Sequence, residues 1–183
     1  VKLLVTVGNA FQPFDRLLRM VEGALVSFPQ PIEGICQIGF SNLTPPGLRA
    51  VRRLERAEFE RCVEEADVVV SHGGVGAIAT AVDHGHLPIV LARRADLGEH
   101  VNDHQRDVVR ELAATGRLLD AEGGIGPSLL ARARAARRRG RDATAPDLMP
   151  IAAEVDRSVP PVRWRTPWLE LAARFGPRAR RIR

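Results

Sequence analysis

One stretch constrains the fold more than any other. The run Asp67-Val-Val-Val-Ser71 passes at once into His72-Gly-Gly-Val-Gly76, and Ala77, Ile78, Ala81 and Val82 then follow at helical spacing. A short, continuous, β-branched apolar run is the pattern of a strand covered on both faces, and its ending at glycines marks a tight turn into a helix. Strands covered on both faces belong to parallel sheets, whose crossovers lay helices against each side. The same order recurs along the chain. Lys2–Val7 ends at Gly8. Pro13 then opens a helix carrying Phe14, Leu17, Leu18, Val21 and Leu25, which Pro29 and Pro31 close. Gly34–Phe40 reads as the next strand and Pro45-Pro46-Gly47 as a turn, followed by a helix ending near Ala66 with Phe59, Cys62 and Val63 inward. After the helix that Gly85 terminates come a strand Ile89–Leu91, a helix from Val101 to about Ala114 with Val101, Val108, Val109 and Leu112 on one face, and a last helix over 127–139. The expected fold is α/β, a Rossmann-like parallel sheet with helices on both faces.

The periodicity fades after residue 139. The expected organisation is therefore a folded domain over 1–139 and a Pro/Arg-rich extension over 140–183, with a linker at 142–162. Within the extension, Thr166 and Pro167 start a short helix whose stripe is Trp168, Leu171, Ala172 and Phe175, ended by Gly176-Pro177. Charge divides at nearly the same place. Residues 1–127 hold 13 Lys plus Arg against 17 Asp plus Glu, and residues 128–183 hold 14 against 5. An acidic body with a basic tail argues against a nucleic-acid-binding module, and Tyr is absent as a base-stacking residue. The tail instead suits an anionic membrane surface or a partner subunit. No apolar run reaches the roughly 18 to 20 residues of a membrane-spanning helix, and Cys36 and Cys62, without C-x-x-C spacing, read as reduced core residues. A cytoplasmic location is expected.

Ligands of an open parallel sheet bind beyond the carboxyl ends of its strands, where helix N-termini offer free amides and partial positive charge. Gly8-Asn9-Ala10 and Gly73, Gly74 and Gly76 fall there, and glycine lets backbone approach a diphosphate. His72 stands at a strand end and Thr80 one turn into the following helix, although a helical threonine ordinarily bonds its own backbone. The densest polar stretch runs from Arg93-Arg94 through Asp96, Glu99, His100, Asn102, Asp103, His104 and Gln105. Its acceptors and donors can hold sugar hydroxyls and its arginines a diphosphate; helix capping by Asn102 or Asp103 is the plainer account. A rival is a histidine-metal hydrolase, with His100 and His104 four apart on one helical face.

Taken together, Ser71-His-Gly-Gly-Val-Gly76, the Arg93-Arg94 loop, Gly98-Glu-His-Val-Asn-Asp-His-Gln105, Val5-Thr-Val-Gly8, Pro13-Phe-Asp-Arg-Leu17 and Gln37-Ile-Gly39 resemble the C-terminal domain of glycosyltransferase family 28 over about residues 2 to 120. The likeness is greatest to the PssE-type exopolysaccharide branch and to the soluble subunit of the dolichol-linked N-acetylglucosamine transferase, with MurG more distant. Asn9 stands where the family often has Thr, Gly73 where Ala is common, Thr80 where some branches carry Glu, His86-Leu87-Pro88 for Gly-Lys-Pro, and Ala92 for Pro.

The resemblance implies the single donor lobe of a two-lobed GT-B enzyme split across two polypeptides. The donor would be UDP-glucuronate or UDP-N-acetylglucosamine. Gly8, Asn9, His72, Gly73, Gly74, Val75, Gly76, Thr80, Arg93, Arg94 and Glu99 would hold it, with Asp103, His104 and Gln105 near the sugar. Transfer would be an inverting displacement needing no metal and no cofactor, with His72 and His104 as candidate bases. A membrane-anchored PssD-type subunit would supply the polyprenyl-diphosphate-linked acceptor and draw the chain to the inner face of the plasma membrane.

Overall fold

The computed structural model describes residues 1–29 and 31–142. Its core is one six-stranded sheet: β1 Lys2–Thr6, β2 Glu33–Gln37, β3 Arg49–Val51, β4 Val68–His72, β5 Ile89–Leu91 and β6 Leu119–Asp120. All pairings are parallel and the order is β3-β2-β1-β4-β5-β6, the doubly wound Rossmann arrangement. The helices are α1 Asp15–Ala24, α2 Arg56–Glu65, α3 Val75–Asp83, α4 His104–Ala114 and α5 Pro127–Asp142, with a short 3-10 turn at Leu25–Ser27 after α1.

Successive strand residues alternate between two cores, as the two-residue pleat requires. Leu3, Val5, Val68, Val70, Ile89 and Leu91 pack with Phe14, Leu17, Leu18 and Val21 of the α1 region and with Leu130 and Ala133 of α5. The alternate residues Leu4 and Val69 pack with Val63 of α2 and Ala81 of α3. Val90 joins Ile78 and Val82 of α3 and Val108, Val109 and Leu112 of α4. Both faces of the sheet are therefore covered, as the uninterrupted apolar runs predict. Arg137 of α5 extends this packing by donating to the backbone carbonyls of Ala66, His84 and Glu64 at the ends of α2 and α3.

The structure corrects three sequence expectations. β3, an edge strand whose Arg49 and Ala50 are exposed, and the two-residue β6 at the opposite edge carry too little apolar sequence to stand out. The second strand stops at Gln37, and Phe40 beyond it is 54% exposed. α4 begins at His104 and leaves Val101 76% exposed, because the residues before it close on themselves as a loop. The linker at 142–162, apart from its first residue, the helix placed at 166–176 and the basic end of the chain lie outside the described residues. Among the described residues no helix is long and apolar enough to cross a membrane.

Candidate functional site

The sheet reverses direction of growth between β1 and β4, which pair with each other while the strands after them run to opposite edges. Crevices form at such switch points. Here a cleft of about 770 Å³ opens at the carboxyl ends of β1, β2 and β4, between the starts of α2 and α3. Six residues picked from the sequence line it: Gly8, Asn9, His72, Gly74, Gly76 and Thr80. α3 enters with Gly74 as its cap residue and no side chain capping it, and its first backbone bond there runs from Ile78 N to Gly74 O. The amides of Val75, Gly76 and Ala77 therefore lack helical acceptors and bring the positive end of the helix to the cleft.

The glycines at this site have different reasons to be glycine. A Cβ on Gly8 would lie 2.4 Å from His72 Nε2, and one on Gly74 would lie 2.2 Å from the same atom. The imidazole is thus wedged between the two loops; it explains Gly74 by space alone, and at Gly8 it adds to a backbone φ of +77° that already favours glycine. A Cβ on Gly73 would meet the side chain of Gln105 at 2.9 Å, whereas one on Gly76 would meet nothing within 4 Å. Of the four, only Gly76 leaves open space on the cleft side, so the expectation that all of them serve ligand approach narrows to this residue.

His72 Nδ1 is shut off from solvent with no hydrogen-bond partner among the described residues. Burial, and next the charge of Arg93, lower the imidazole pKa to about 4, against a weaker opposing pull from the Thr6 backbone. The ring is neutral at pH 7. Because the folded pKa lies below the usual 6.5, the unfolded chain takes up a proton between pH 6.5 and 4 that the folded chain refuses. Stability from this group is complete above pH 6.5 and is lost as pH falls towards 4, by roughly 2 to 3 kcal/mol. Urea unfolding at pH 7 and pH 4.5 should show this loss in the wild type and a smaller one in His72→Gln.

The polar stretch 93–105 is organised differently from its expected role. Arg93 is fully buried. Its guanidinium donates to the carbonyls of Val7 at 2.7 Å, Gln12 at 2.8 Å and Glu99 at 2.8 Å, and lies 4.6 Å from the Phe14 ring centroid. Desolvation lowers its pKa to about 10, with the Glu99 carboxylate pulling the other way, so it remains a cation. The charge expected to face a diphosphate is turned onto backbone instead. Glu99, also buried, accepts from Arg16 and from the Arg94 amide, and Arg94 pairs with Asp96 and Glu122. Together Arg93, Arg16 and Glu99 tie the loop after β1 to the loop after β5.

The remaining candidates serve local structure in this conformation. Asp103 accepts from Ala95 N at 2.9 Å, Gln105 Oε1 accepts from Arg93 N at 3.2 Å, and Thr80 donates to Gly76 O at 2.9 Å within its own helix. The His104 amide donates to Asn102 Oδ1 at 3.3 Å, while Asp103, the cap residue of α4, makes no side-chain capping bond to the helix. His100 and His104 do not share a helical face, since α4 starts at His104, and among the described residues no three His, Cys, Asp or Glu side chains are grouped to hold a metal ion. The histidine-metal reading loses its geometric premise.

Sequence reasoning missed the opposite wall of the cleft: Gln37 at the end of β2, and Arg53, Glu55, Arg56, Phe59 and Glu60 at the start of α2. All but Gln37 follow the unrecognised strand β3, without which α2 has no assigned place beside α3.

The profile of the glycosyltransferase family 28 C-terminal domain matches residues 3–122. No curated protein sequence matches. Among solved structures, the glycosyltransferase SnogD from Streptomyces nogalater is 21% identical, covering 86% of this chain and 44% of its own, with a TM-score of 0.46. MurG from Acinetobacter baumannii is 16% identical, covering 87% and 50%, with a TM-score of 0.49. The calicheamicin glycosyltransferase CalG4 is 18% identical, covering 96% and 43%, with a TM-score of 0.47. The chain spans half or less of the length of each of these three.

Proposed function

The chain belongs to the glycosyltransferase family 28 C-terminal domain family, and from that premise we propose that it binds the UDP-sugar donor of a transfer reaction that a second lobe, on another polypeptide, completes. The observation that carries this reading is the switch-point cleft with the uncapped start of α3 on its wall. Free amides of Val75, Gly76 and Ala77 suit a diphosphate, and Gly76 leaves room for it to approach. Arg53 and Arg56 line the same cleft, paired with Glu55 and Glu60 of the same wall, and each would have to leave its carboxylate to meet a diphosphate.

Sugar transfer proceeds by displacement at the anomeric carbon through an oxocarbenium-like state, with the diphosphate departing. Amides already aimed at the departing charge stabilise it without reorganising. This division of labour leaves activation of the acceptor hydroxyl to the other lobe. His72, with a pKa of about 4, is a poor general base at neutral pH and fits instead as a neutral hydrogen-bonding neighbour of the phosphates. Asp103 at the cap of α4 and His104 and Gln105 in its first turn remain our candidates for the sugar, reached once the second lobe closes over the start of that helix.

Four of the large apolar side chains that stand exposed sit in loops at the carboxyl end of the sheet: Phe11 at 80%, Phe40 at 54%, Leu97 at 51% and Val101 at 76%. The Phe11 and Phe40 rings meet at a tilt of 51° with centroids 5.3 Å apart. A rim of this kind beside an open cleft suits contact with a second protein surface. We assign it to a membrane-anchored acceptor-binding subunit of the PssD type, which would hold a polyprenyl-diphosphate-linked acceptor and bring the chain to the membrane. UDP-glucuronate and UDP-N-acetylglucosamine are the donors to test.

The test is reconstitution. Radiolabelled UDP-sugar, lipid-linked acceptor and this chain should give no product until the acceptor subunit is added, and product should then depend on both polypeptides. Transfer by this chain alone, or by the acceptor subunit alone, would contradict the split arrangement.

A further inference from the structure

At the floor of the cleft, four polar groups form a chain whose direction the backbone dictates. The amide of Gly8 can only donate, and it donates to Thr6 Oγ1 at 3.1 Å. That hydroxyl could either give or accept a further bond, and the Gly8 carbonyl settles which: with Gln37 Nε2 turned to it, the Thr6 hydroxyl donates to Gln37 Oε1, 2.9 Å away. Nε2 lies 3.4 Å from that carbonyl, which can only accept, and donates to Asn9 Oδ1 at 2.9 Å. Thr6 and Gln37 are buried, at 1% and 3% exposure, while Asn9 is exposed and lines the cleft. With Oδ1 held by Gln37, Asn9 Nδ2 has no acceptor among the described residues and its two protons are left for the cleft.

We propose that Gln37 is a positioning residue that fixes the orientation of the Asn9 amide, so that the loop after β1 presents an N–H donor, and not a carbonyl oxygen, to the anionic part of the nucleotide. A side-chain amide is ambiguous in direction, and an Asn free to rotate would spend part of its time with oxygen towards a diphosphate. The buried Thr6–Gln37 pair removes that choice before ligand arrives. Asn9 thereby supplies from the β1 side what the α3 amides supply from the β4 side. The inference rests on the proposed nucleotide-binding function and assigns to Gln37 a role exerted only through Asn9.

The experiment is a calorimetric double-mutant cycle with UDP as the probe and the full 183-residue chain. Asn9→Ala should weaken binding about tenfold, the scale of one hydrogen bond to a charged group. Gln37→Met, similar in volume but without the directing amide, should weaken it by a comparable or smaller factor, and the double variant should bind no worse than Asn9→Ala. A Gln37 that affected binding independently of Asn9 would add its effect to that of Asn9→Ala in the double variant, which would overturn the proposal. Asn9→Asp provides a check that does not disturb the core. Its carboxylate still accepts from Gln37 but turns an oxygen on the cleft, and it should bind more weakly than Asn9→Ala; affinity equal to wild type would overturn the proposal. If the wild type itself shows no affinity for UDP, the nucleotide-binding reading fails and this inference with it, whereas normal wild-type binding with an additive cycle rejects the inference alone.

Discussion

Replacing Arg93 by alanine is expected to cost about 3 to 5 kcal/mol of folding stability and to lower the thermal midpoint by on the order of 10 °C. The guanidinium donates to three backbone carbonyls from two separate loops, at Val7, Gln12 and Glu99, and covers the face of Phe14. Removing it leaves those acceptors without their donor in a buried setting, at about 1 to 3 kcal/mol each when uncompensated, and opens a cavity beside Phe14. Arg93→Lys keeps a charge but cannot span three carbonyls with one ammonium, so an intermediate loss is expected. Differential scanning calorimetry of the three proteins measures the order directly. A midpoint for Arg93→Ala within a degree or two of wild type would mean that the buried network is not what joins the loops.

The second large effect separates two glycines only two residues apart. Gly74→Ala should destabilise the protein by about 1 to 3 kcal/mol, the usual range for overpacking. Its Cβ would fall 2.2 Å from His72 Nε2, and the ring cannot retreat because Gly8 closes the other side, where a Cβ would lie 2.4 Å from the same atom. Gly76→Ala should instead gain about 0.5 to 1 kcal/mol, since the site lies in α3 with nothing within 4 Å of the new methyl group. Chemical denaturation of both variants should therefore move their midpoints in opposite directions. Equal destabilisation by the two substitutions would show that the turn is strained as a whole and that His72 is not the cause.

How much of this was legible in the sequence depends on what each residue reports. β1, β4 and β5 were readable because strands covered on both faces must be apolar throughout, and Gly8 and Gly85 marked the ends of a strand and a helix through their freedom to take positive φ, +77° and +76°. β3 and β6 escaped notice because edge strands of three and two residues need no continuous apolar run. Their absence hid the α2 wall of the cleft, including Arg53 and Arg56. Arg93 was read as a ligand-facing cation because a sequence shows its charge and not its surroundings; only the three-dimensional approach of Val7 and Gln12, more than 80 residues away, reveals it as a staple. The ring of His72 accounts for Gly74 and adds to the case at Gly8 in a way that no local pattern signals, since Gly8 is 64 positions from it. The polar stretch 93–105 reads in sequence as running from a loop into a helix that begins at Val101; the helix begins three residues later, at His104, and the bonds the stretch makes are largely among its own residues.

The most direct measurement is an isothermal titration of UDP into the wild-type chain and into Gly76→Ala, a variant whose fold should be intact or firmer. If nucleotide phosphates rest on the first turn of α3, the wild type should bind with a dissociation constant in roughly the micromolar to millimolar range, and the added methyl group should weaken it about tenfold or more. Equal affinity in the two proteins, or no heat of binding from a correctly folded wild type with or without its acceptor subunit, would contradict the account.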